Sequence, residues 1–382
     1  LNAKKPPLLT ARLSKKADEA PQIGNEASAK EIVDDLDGAS YIVKSVSTRE
    51  KKRNPVPPFI TSTLQQESSR KLRFSVKRTM MLAQGLYEGK ELGKEGAVGL
   101  ITYMRTDSTR VSEDALTEVR GFVSERYGQE FLPNSPNIYK TKKDAQDAHE
   151  GVRPTDPTRK PDERLAKKLT ADQFKLYELI WKRFMASQMA PAVFDTTTVD
   201  FLIDGNEGKK AAQPRDYLFR STGSIVKFEG FLTLYREAHE EGEGRALEDE
   251  QALPEVALNE KIPVKEIVPK QHFTEPPARF SEASLVKELE RLGIGRPSTY
   301  ASIISVLADR HYVLLEQRRF TPTPLGETVA KIMVMQFPDI FNVEFTSGME
   351  GELDKVEAGS MGWQDVLGDF WTPFSVALDA AN

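Results

Sequence analysis

At 382 residues the chain exceeds one ordinary hydrophobic core and is read as two to four domains. A hydrophobic share of 39% beside 29% charged residues excludes a disordered chain, and the lack of cysteine excludes disulfides, thiolate zinc sites and cysteine nucleophiles. The net charge of −5 argues against a uniformly basic surface but not against a segregated one.

The chain opens at Leu1 in a Lys- and Pro-rich polar segment, which reads as a chain cut from something longer. The β-branched alternation of Tyr41-Ile42-Val43-Lys44-Ser45-Val46-Ser47 predicts a strand, stopped by Pro55, Pro57 and Pro58. From Thr61 to about Met189 the pattern is helical, with Leu64, Leu72, Met80, Leu82 and Leu86 at apolar positions. A strand-like run from Ala97 to Thr102 interrupts it. Ser112 reads as an N-cap ahead of Ala115, Val119 and Val123. A polar loop follows from Pro133 to Pro161, and then a helix with Phe174, Leu176, Tyr177, Ile180, Trp181 and Phe184 as its core stripe.

Thr196–Phe201 and Tyr217–Arg220 read as strands, with a turn at Asp204-Gly205-Asn206. The acidic stretch from about 237 to 255 reads as a flexible loop; no apolar strand precedes it, so it is assigned no metal. Beyond Pro276, Ser281 caps a helix that ends at Gly293, and a second helix is expected to start near Pro297. Val313–Leu315 and Arg319–Thr321 suggest a hairpin, so this end resembles a winged helix-turn-helix. The longest uncharged apolar stretch, Ala97 to Met104, is too short for a membrane span, and no signal peptide is visible. A cytoplasmic protein is expected.

The chemistry concentrates in Gly99-Leu100-Ile101-Thr102-Tyr103-Met104-Arg105-Thr106-Asp107-Ser108. Were this a strand, Tyr103 and Arg105 would share one face. A phenol of pKa near 10 is a poor nucleophile at neutral pH, and a guanidinium beside it would stabilise the phenolate and neutralise a phosphate under attack. The same pattern also fits a buried tyrosine at a strand end beside a surface arginine. His149 lies between Asp147 and Glu150, where a carboxylate can hold an imidazolium. Arg296, Ser298 and Thr299, around Pro297 and behind Gly293 and Gly295, read as a phosphate site at a helix N-terminus or as a simple cap. Arg70, Lys71, Arg73, Lys77 and Arg78, with no acid among them, read as a solvated face or as phosphate contacts.

The run Ile101-Thr102-Tyr103-Met104-Arg105-Thr106-Asp107-Ser108 resembles the active-site tyrosine motif of bacterial type IA DNA topoisomerases. Pro58–Glu67, Asp147–Thr155 and Gly293–Tyr300 are similar to three further motifs of that family, in the same order, so the resemblance spans from about Pro55 to beyond Met349. It implies that Tyr103 attacks a phosphate of single-stranded DNA, forming a 5′-phosphotyrosyl ester, with Arg105 at that phosphate and His149 nearby as a proton relay or a DNA-positioning group. DNA contacts are implied for Thr102, Asp107, Arg153, Arg296, Ser298 and Thr299. It further implies a monomer acting on single-stranded or negatively supercoiled DNA at the nucleoid, without ATP; Gly93-Lys94 lacks the other residues of a phosphate-binding loop.

The expected architecture is multidomain α+β, with mostly helical nucleophile and gate domains joined by a β-rich arch in a toroid. The expected boundaries are 1–62 and 190–250 for the arch, 63–189 for the nucleophile domain and 251–382 for the gate. The family's toprim domain, whose acids bind Mg²⁺, has no counterpart here: no strand followed by Asp-x-Asp-x-Glu occurs. The zinc ribbons are absent as well. An enzyme that is incomplete without toprim is therefore expected. The rival readings are a single-stranded DNA-binding gate fragment and a winged-helix regulator.

Overall fold

The protein is described here from a computed structural model covering residues 9–16, 18–140, 149–204, 217–238 and 252–381. In chain order these form β1 (Arg12–Lys16), α1 (Glu26–Leu36), β2 (Ser40–Arg53), α2 (Thr61–Glu67), α3 (Val76–Glu88), β3 (Lys90–Glu91), β4 (Ala97–Val98), α4 (Glu113–Tyr127), α5 (Glu163–Ala166) and α6 (Ala171–Ser187). There follow β5 (Ala192–Asp204), β6 (Tyr217–Phe228), β7 (Lys261–Ile262), α7 (Glu282–Leu292), α8 (Tyr300–Asp309), β8 (Val313–Glu316), β9 (Arg319–Pro322), α9 (Pro324–Gln336), α10 (Val343–Glu357) and α11 (Trp363–Ala381). None of these helices is long and apolar enough to cross a membrane.

The chain divides into two compact units. The first comprises 1–54, 191–230 and 241–276; the second comprises 55–190, 231–240 and 277–382. Residues 55–62 and 231–240, expected in the arch, belong to the second unit, and the division differs from the expected boundaries in two further ways. Residues 251–276 join the sheet, because β7 pairs with β2, and the helical stretches expected as separate nucleophile and gate domains form one unit. Both shifts come from pairings distant in sequence.

The sheet unit is an antiparallel sheet in the order β1-β6-β5-β2-β7. The alternation read at Tyr41 and Val43 turns both side chains inward, onto Val199, Phe201, Ile203 and Tyr217 and onto Ile32 and Leu36 of α1. Sequence reading passed over α1, whose few apolar residues sit in a polar segment; Asn25 caps it, accepting from the Ser28 N–H at 2.8 Å. The strands run longer than expected. From Ser47 to Arg53 both faces of β2 are exposed, and hydroxyl pairs such as Thr48 with Thr197 (3.0 Å) and Thr196 with Ser224 (2.9 Å) bridge neighbouring strands. The expected turn at Gly205-Asn206 lies outside the described residues, as do residues 239–251 of the acidic stretch.

In the second unit the expected caps form. Ser112 starts α4, Ser281 starts α7, and Gly293 ends α7 with a left-handed φ of 73°. The stripe of α6 is core: Leu176, Tyr177, Ile180 and Phe184 are fully buried, and Phe174 alone is half-buried. A π-helical turn, Ser68–Leu72, links α2 to α3 and closes on Arg73 at φ 61°. Val76 of α3 packs with Val286, Tyr300, Ile304 and Phe320, joining α3 to α7, α8 and the β8–β9 hairpin. The helix–helix–hairpin order read from the sequence is present, and the turn of that hairpin uses Gln317 and Arg318, both at positive φ.

Candidate active site

Three segments of the second unit interleave around Tyr103: 58–61, 99–110 and 149–155. Val152 donates to the Phe59 carbonyl at 2.7 Å, Thr102 to that of Arg153 at 2.9 Å, and Thr155 to that of Leu100 at 3.1 Å. Thr61 is the hub. Its hydroxyl donates to the carbonyls of Met104 (2.7 Å) and Thr106 (3.1 Å) and accepts the Thr106 N–H at 2.9 Å. On the other side the Thr102 hydroxyl donates to Gly151 O at 2.8 Å and accepts the Arg153 N–H at 3.0 Å. Two glycines permit this closeness. A Cβ on Gly99 would stand 2.7 Å from the Tyr87 carbonyl, and one on Gly151 would stand 3.1 Å from Pro58 Cβ.

The backbone at Tyr103 is therefore pinned, but not as a strand. Regular pairing ends at β4; Ile101 makes one isolated bridge to Pro154, and the chain bends from Thr102 through Arg105. The strand alternation expected to place Tyr103 and Arg105 on one face does not apply, because Thr61 and Arg153 take up the backbone groups a neighbouring strand would have used. Instead Ile101 and Met104 are buried, Tyr103 is half-buried and Arg105 is exposed. Among the described residues neither the Tyr103 hydroxyl nor the Arg105 guanidinium has a hydrogen-bond partner.

The phenol ring of Tyr103 contacts two others. His149 stands 5.3 Å away centroid to centroid at 43°, and Tyr87, from the last turn of α3, stands 5.3 Å away at 63°. His149 Nδ1 is buried with no hydrogen-bond partner among the described residues. Asp147, the expected carboxylate beside it, lies outside them. Glu150, the other neighbour, is held by Arg153: Nε donates to Oε2 at 2.8 Å and Nη2 lies 2.6 Å from the same oxygen. Arg153 also donates to its neighbour's carbonyl, Pro154 O, at 3.0 Å, so most of its donors are used inside the protein.

The phosphate site expected around Arg296 is built differently from a plain helix N-terminus. The helix starts at Tyr300, not near Pro297, after a turn in which Arg296 N–H donates to the Thr299 hydroxyl at 2.8 Å. The Arg296 guanidinium forks onto Asp354 of α10 at 3.1 and 2.6 Å, and its Nη1 donates to Gly293 O (3.2 Å) and Gly295 O (2.8 Å). Glu350 accepts the Gly295 N–H at 3.0 Å. Ser298 and Thr299 are exposed. Burial pushes the Tyr300 phenol well above its ordinary value; Glu290 adds to the rise, Arg296 opposes it and Asp107 adds a smaller push, so Asp107 and Arg296 both act on one side chain.

The basic run is split by acids that sequence reading had not connected to it. Glu67 lies 3.9 Å from Arg70 and 3.4 Å from Lys71, and Arg78 pairs with Asp172. Lys71 sits 3.8 Å over the Tyr235 ring, and burial lowers its ammonium pKa against the pull of Glu67. Arg73 and Lys77 remain exposed. Arg183, buried in α6, donates to Pro57 O at 2.6 Å and to the Tyr235 hydroxyl at 3.2 Å, and pairs with Glu237 at 3.1 Å. Tyr87 and Asp354 were missed from sequence, where their positions carried no signal, and Thr61 was noticed only as part of the Pro58–Glu67 motif.

Comparison with known proteins follows the same outline. The family model described as DNA topoisomerase matches residues 4–368. DNA topoisomerase 1 of Rickettsia felis is 46% identical over 379 residues, covering 98% of this chain and 47% of that protein. DNA topoisomerase 1 of Xylella fastidiosa, strain Temecula1, is 47% identical over 338 residues, or 88% of this chain and 40% of the relative. The solved structure of full-length topoisomerase I from Thermotoga maritima matches with a TM-score of 0.75 at 37% identity, covering 97% of this chain and 56% of that one. The chain thus spans about half the length of the curated relatives it matches.

Proposed function

The chain belongs to the bacterial type IA DNA topoisomerase family, and from that premise we propose that Tyr103 cuts and reseals one strand of DNA. The phenolic oxygen attacks a backbone phosphorus, the O–P bond to tyrosine forms as the P–O3′ bond breaks, and a 3′-hydroxyl leaves. The product is a 5′-phosphotyrosyl ester. One phosphodiester-type bond replaces another, so rejoining needs no ATP, and passage of a second strand between cutting and sealing relaxes negative supercoils.

The observation that carries this reading is the pose of Tyr103. Its backbone is bonded on both sides, its ring contacts two others, and its hydroxyl has no partner among the described residues. Arg105, exposed two residues on, supplies a cation for the phosphate. The phenol must lose a proton and the 3′-oxygen must gain one. His149, whose ring packs against that of Tyr103, would move or hold that proton, or position the strand. Thr102 and Arg153 brace this pose from behind, and Asp107, Ser298, Thr299 and the spare donor of Arg296 would meet the flanking backbone.

Mg²⁺ would supply charge neutralisation at the phosphate when bound. On the family resemblance its ligands are proposed to lie in a toprim domain, without which this chain would be inactive. We place the activity in the cytoplasm at the nucleoid, carried out by a monomer on single-stranded or negatively supercoiled DNA. The test is trapping of a covalent adduct. With Mg²⁺ and a single-stranded oligonucleotide, the protein as the cell makes it should become labelled by DNA, and Tyr103→Phe should abolish the label. An adduct that survives Tyr103→Phe refutes the proposal; binding without any adduct in the unaltered protein would leave a DNA-binding gate as the function.

A further inference from the structure

We infer that Tyr87 is a positioning residue for the nucleophile: its ring sets the direction in which the Tyr103 phenol points. The inference rests on the reading of Tyr103 as nucleophile and adds a residue to it. Tyr87 sits in the last turn of α3, and the chain from there returns to the site through the short β3–β4 hairpin and Gly99. The return is tight. Leu100 N–H donates to the Leu86 carbonyl at 2.8 Å, and Gly99 passes so close to the Tyr87 carbonyl that a Cβ would stand 2.7 Å from it. The backbone of Tyr87 is thereby fixed against the backbone that carries Tyr103.

The rings then meet edge to face, at 5.3 Å and 63°. This geometry places the positive rim of one ring on the negative face of the other and resists rotation of either. Since the Tyr103 hydroxyl has no hydrogen bond of its own among the described residues, its side-chain torsions are held by packing, to which the rings of Tyr87 and His149 contribute. A nucleophile held in line with the breaking bond reacts faster than one that must find that line. The Tyr87 hydroxyl also has no partner among the described residues, so the ring and not the hydroxyl carries the effect. Phenylalanine should therefore replace it and an aliphatic residue should not.

Adduct formation in single turnovers, measured on the protein as the cell makes it with Mg²⁺ and a saturating single-stranded oligonucleotide, tests this. Tyr87→Leu and Tyr87→Ala should slow the step roughly two- to ten-fold, the range an aromatic pair corresponds to. The dissociation constant for DNA, read by fluorescence anisotropy, should stay within about two-fold, since an orienting group acts on the rate and not on ground-state binding. Tyr87→Phe should restore the wild-type rate. Melting temperatures identify any variant that is merely unfolded, and Leu serves where Ala fails to fold. The inference is overturned if Leu reacts as fast as wild type, if Phe is as slow as Leu, or if the loss lies in DNA affinity alone, which would make Tyr87 a base-stacking surface. An adduct that persists in Tyr103→Phe would instead sink the underlying reading.

Discussion

Thr61→Val replaces one hydroxyl oxygen by a methyl group of similar size, at a side chain with no exposed surface. Three hydrogen bonds go with it: to Met104 O at 2.7 Å, to Thr106 O at 3.1 Å and from Thr106 N at 2.9 Å. Thr106 O is not orphaned, because the Thr61 backbone N–H still donates to it at 2.9 Å. Met104 O and Thr106 N each lose this partner in a place closed to water. At about 1–3 kcal/mol for each of the two buried unsatisfied groups, the change should cost about 2–6 kcal/mol. For a unit of this size that lowers the melting temperature by roughly 4–24 °C. Thr61→Ser keeps the hydroxyl and loses only a methyl, about 1 kcal/mol. Thermal unfolding followed by circular dichroism measures both. Below either transition, adduct formation by Thr61→Val should still be slower than wild type, because the two orphaned groups flank Tyr103 and Arg105. A Thr61→Val protein that melts within about 2 °C of wild type, or a serine variant worse than the valine one, would refute the hub role.

Asp354→Asn should strengthen single-stranded DNA binding several-fold at low salt and steepen its salt dependence by up to roughly 0.7 in log–log slope, because the Arg296 guanidinium loses the nearer of its two carboxylates, with Glu350 left at 3.7 Å, and is freer to take a phosphate. The stability cost should stay under about 1 kcal/mol, since both side chains of that pair are about a third exposed; weaker DNA binding in titrations would count against this. In the sheet unit, two hydrogen bonds from Arg220 hold the Asp200 carboxyl below its ordinary range. A carboxyl lowered on folding stabilises fully above its unfolded value, near 3.8, and loses that contribution as pH falls through the lowered folded value. Urea unfolding of Asp200→Asn should therefore show a shallower acid decline below about pH 4 than wild type; parallel declines would exclude the pair as a source of acid sensitivity.

The parts of the fold legible in the sequence are those whose causes are local. Ser112, Ser281 and Gly293 mark helix ends because a cap is satisfied within three residues of itself, and Tyr41 and Val43 announce their face by alternation. The motif around Tyr103 also drew attention to a segment that three stretches of chain meet around. Its conformation was not legible, since the bonds that replace strand pairing come from Thr61 and Arg153, 45 and 51 residues away. The same holds for Arg296. The sequence around Pro297 reads as a free anion site, and only folding brings Glu350 and Asp354, 55 and 58 residues on, to the same turn. Tyr87 gave no sign of its place, because a tyrosine at a helix end has no pattern of its own until Gly99 lets the chain double back.

The three-way weave around Tyr103 also has a consequence in time. The threads join points from 43 residues apart, at Thr61 and Met104, to far more at Phe59 and Val152, so none of these closures can form as a nascent chain first emerges, and each must wait for a long loop to shut. The pose of the phenol is complete only after residue 155 has been made and docked. On that account a half-finished polypeptide, or a molecule whose loops have locally come apart, carries the tyrosine but not its pose.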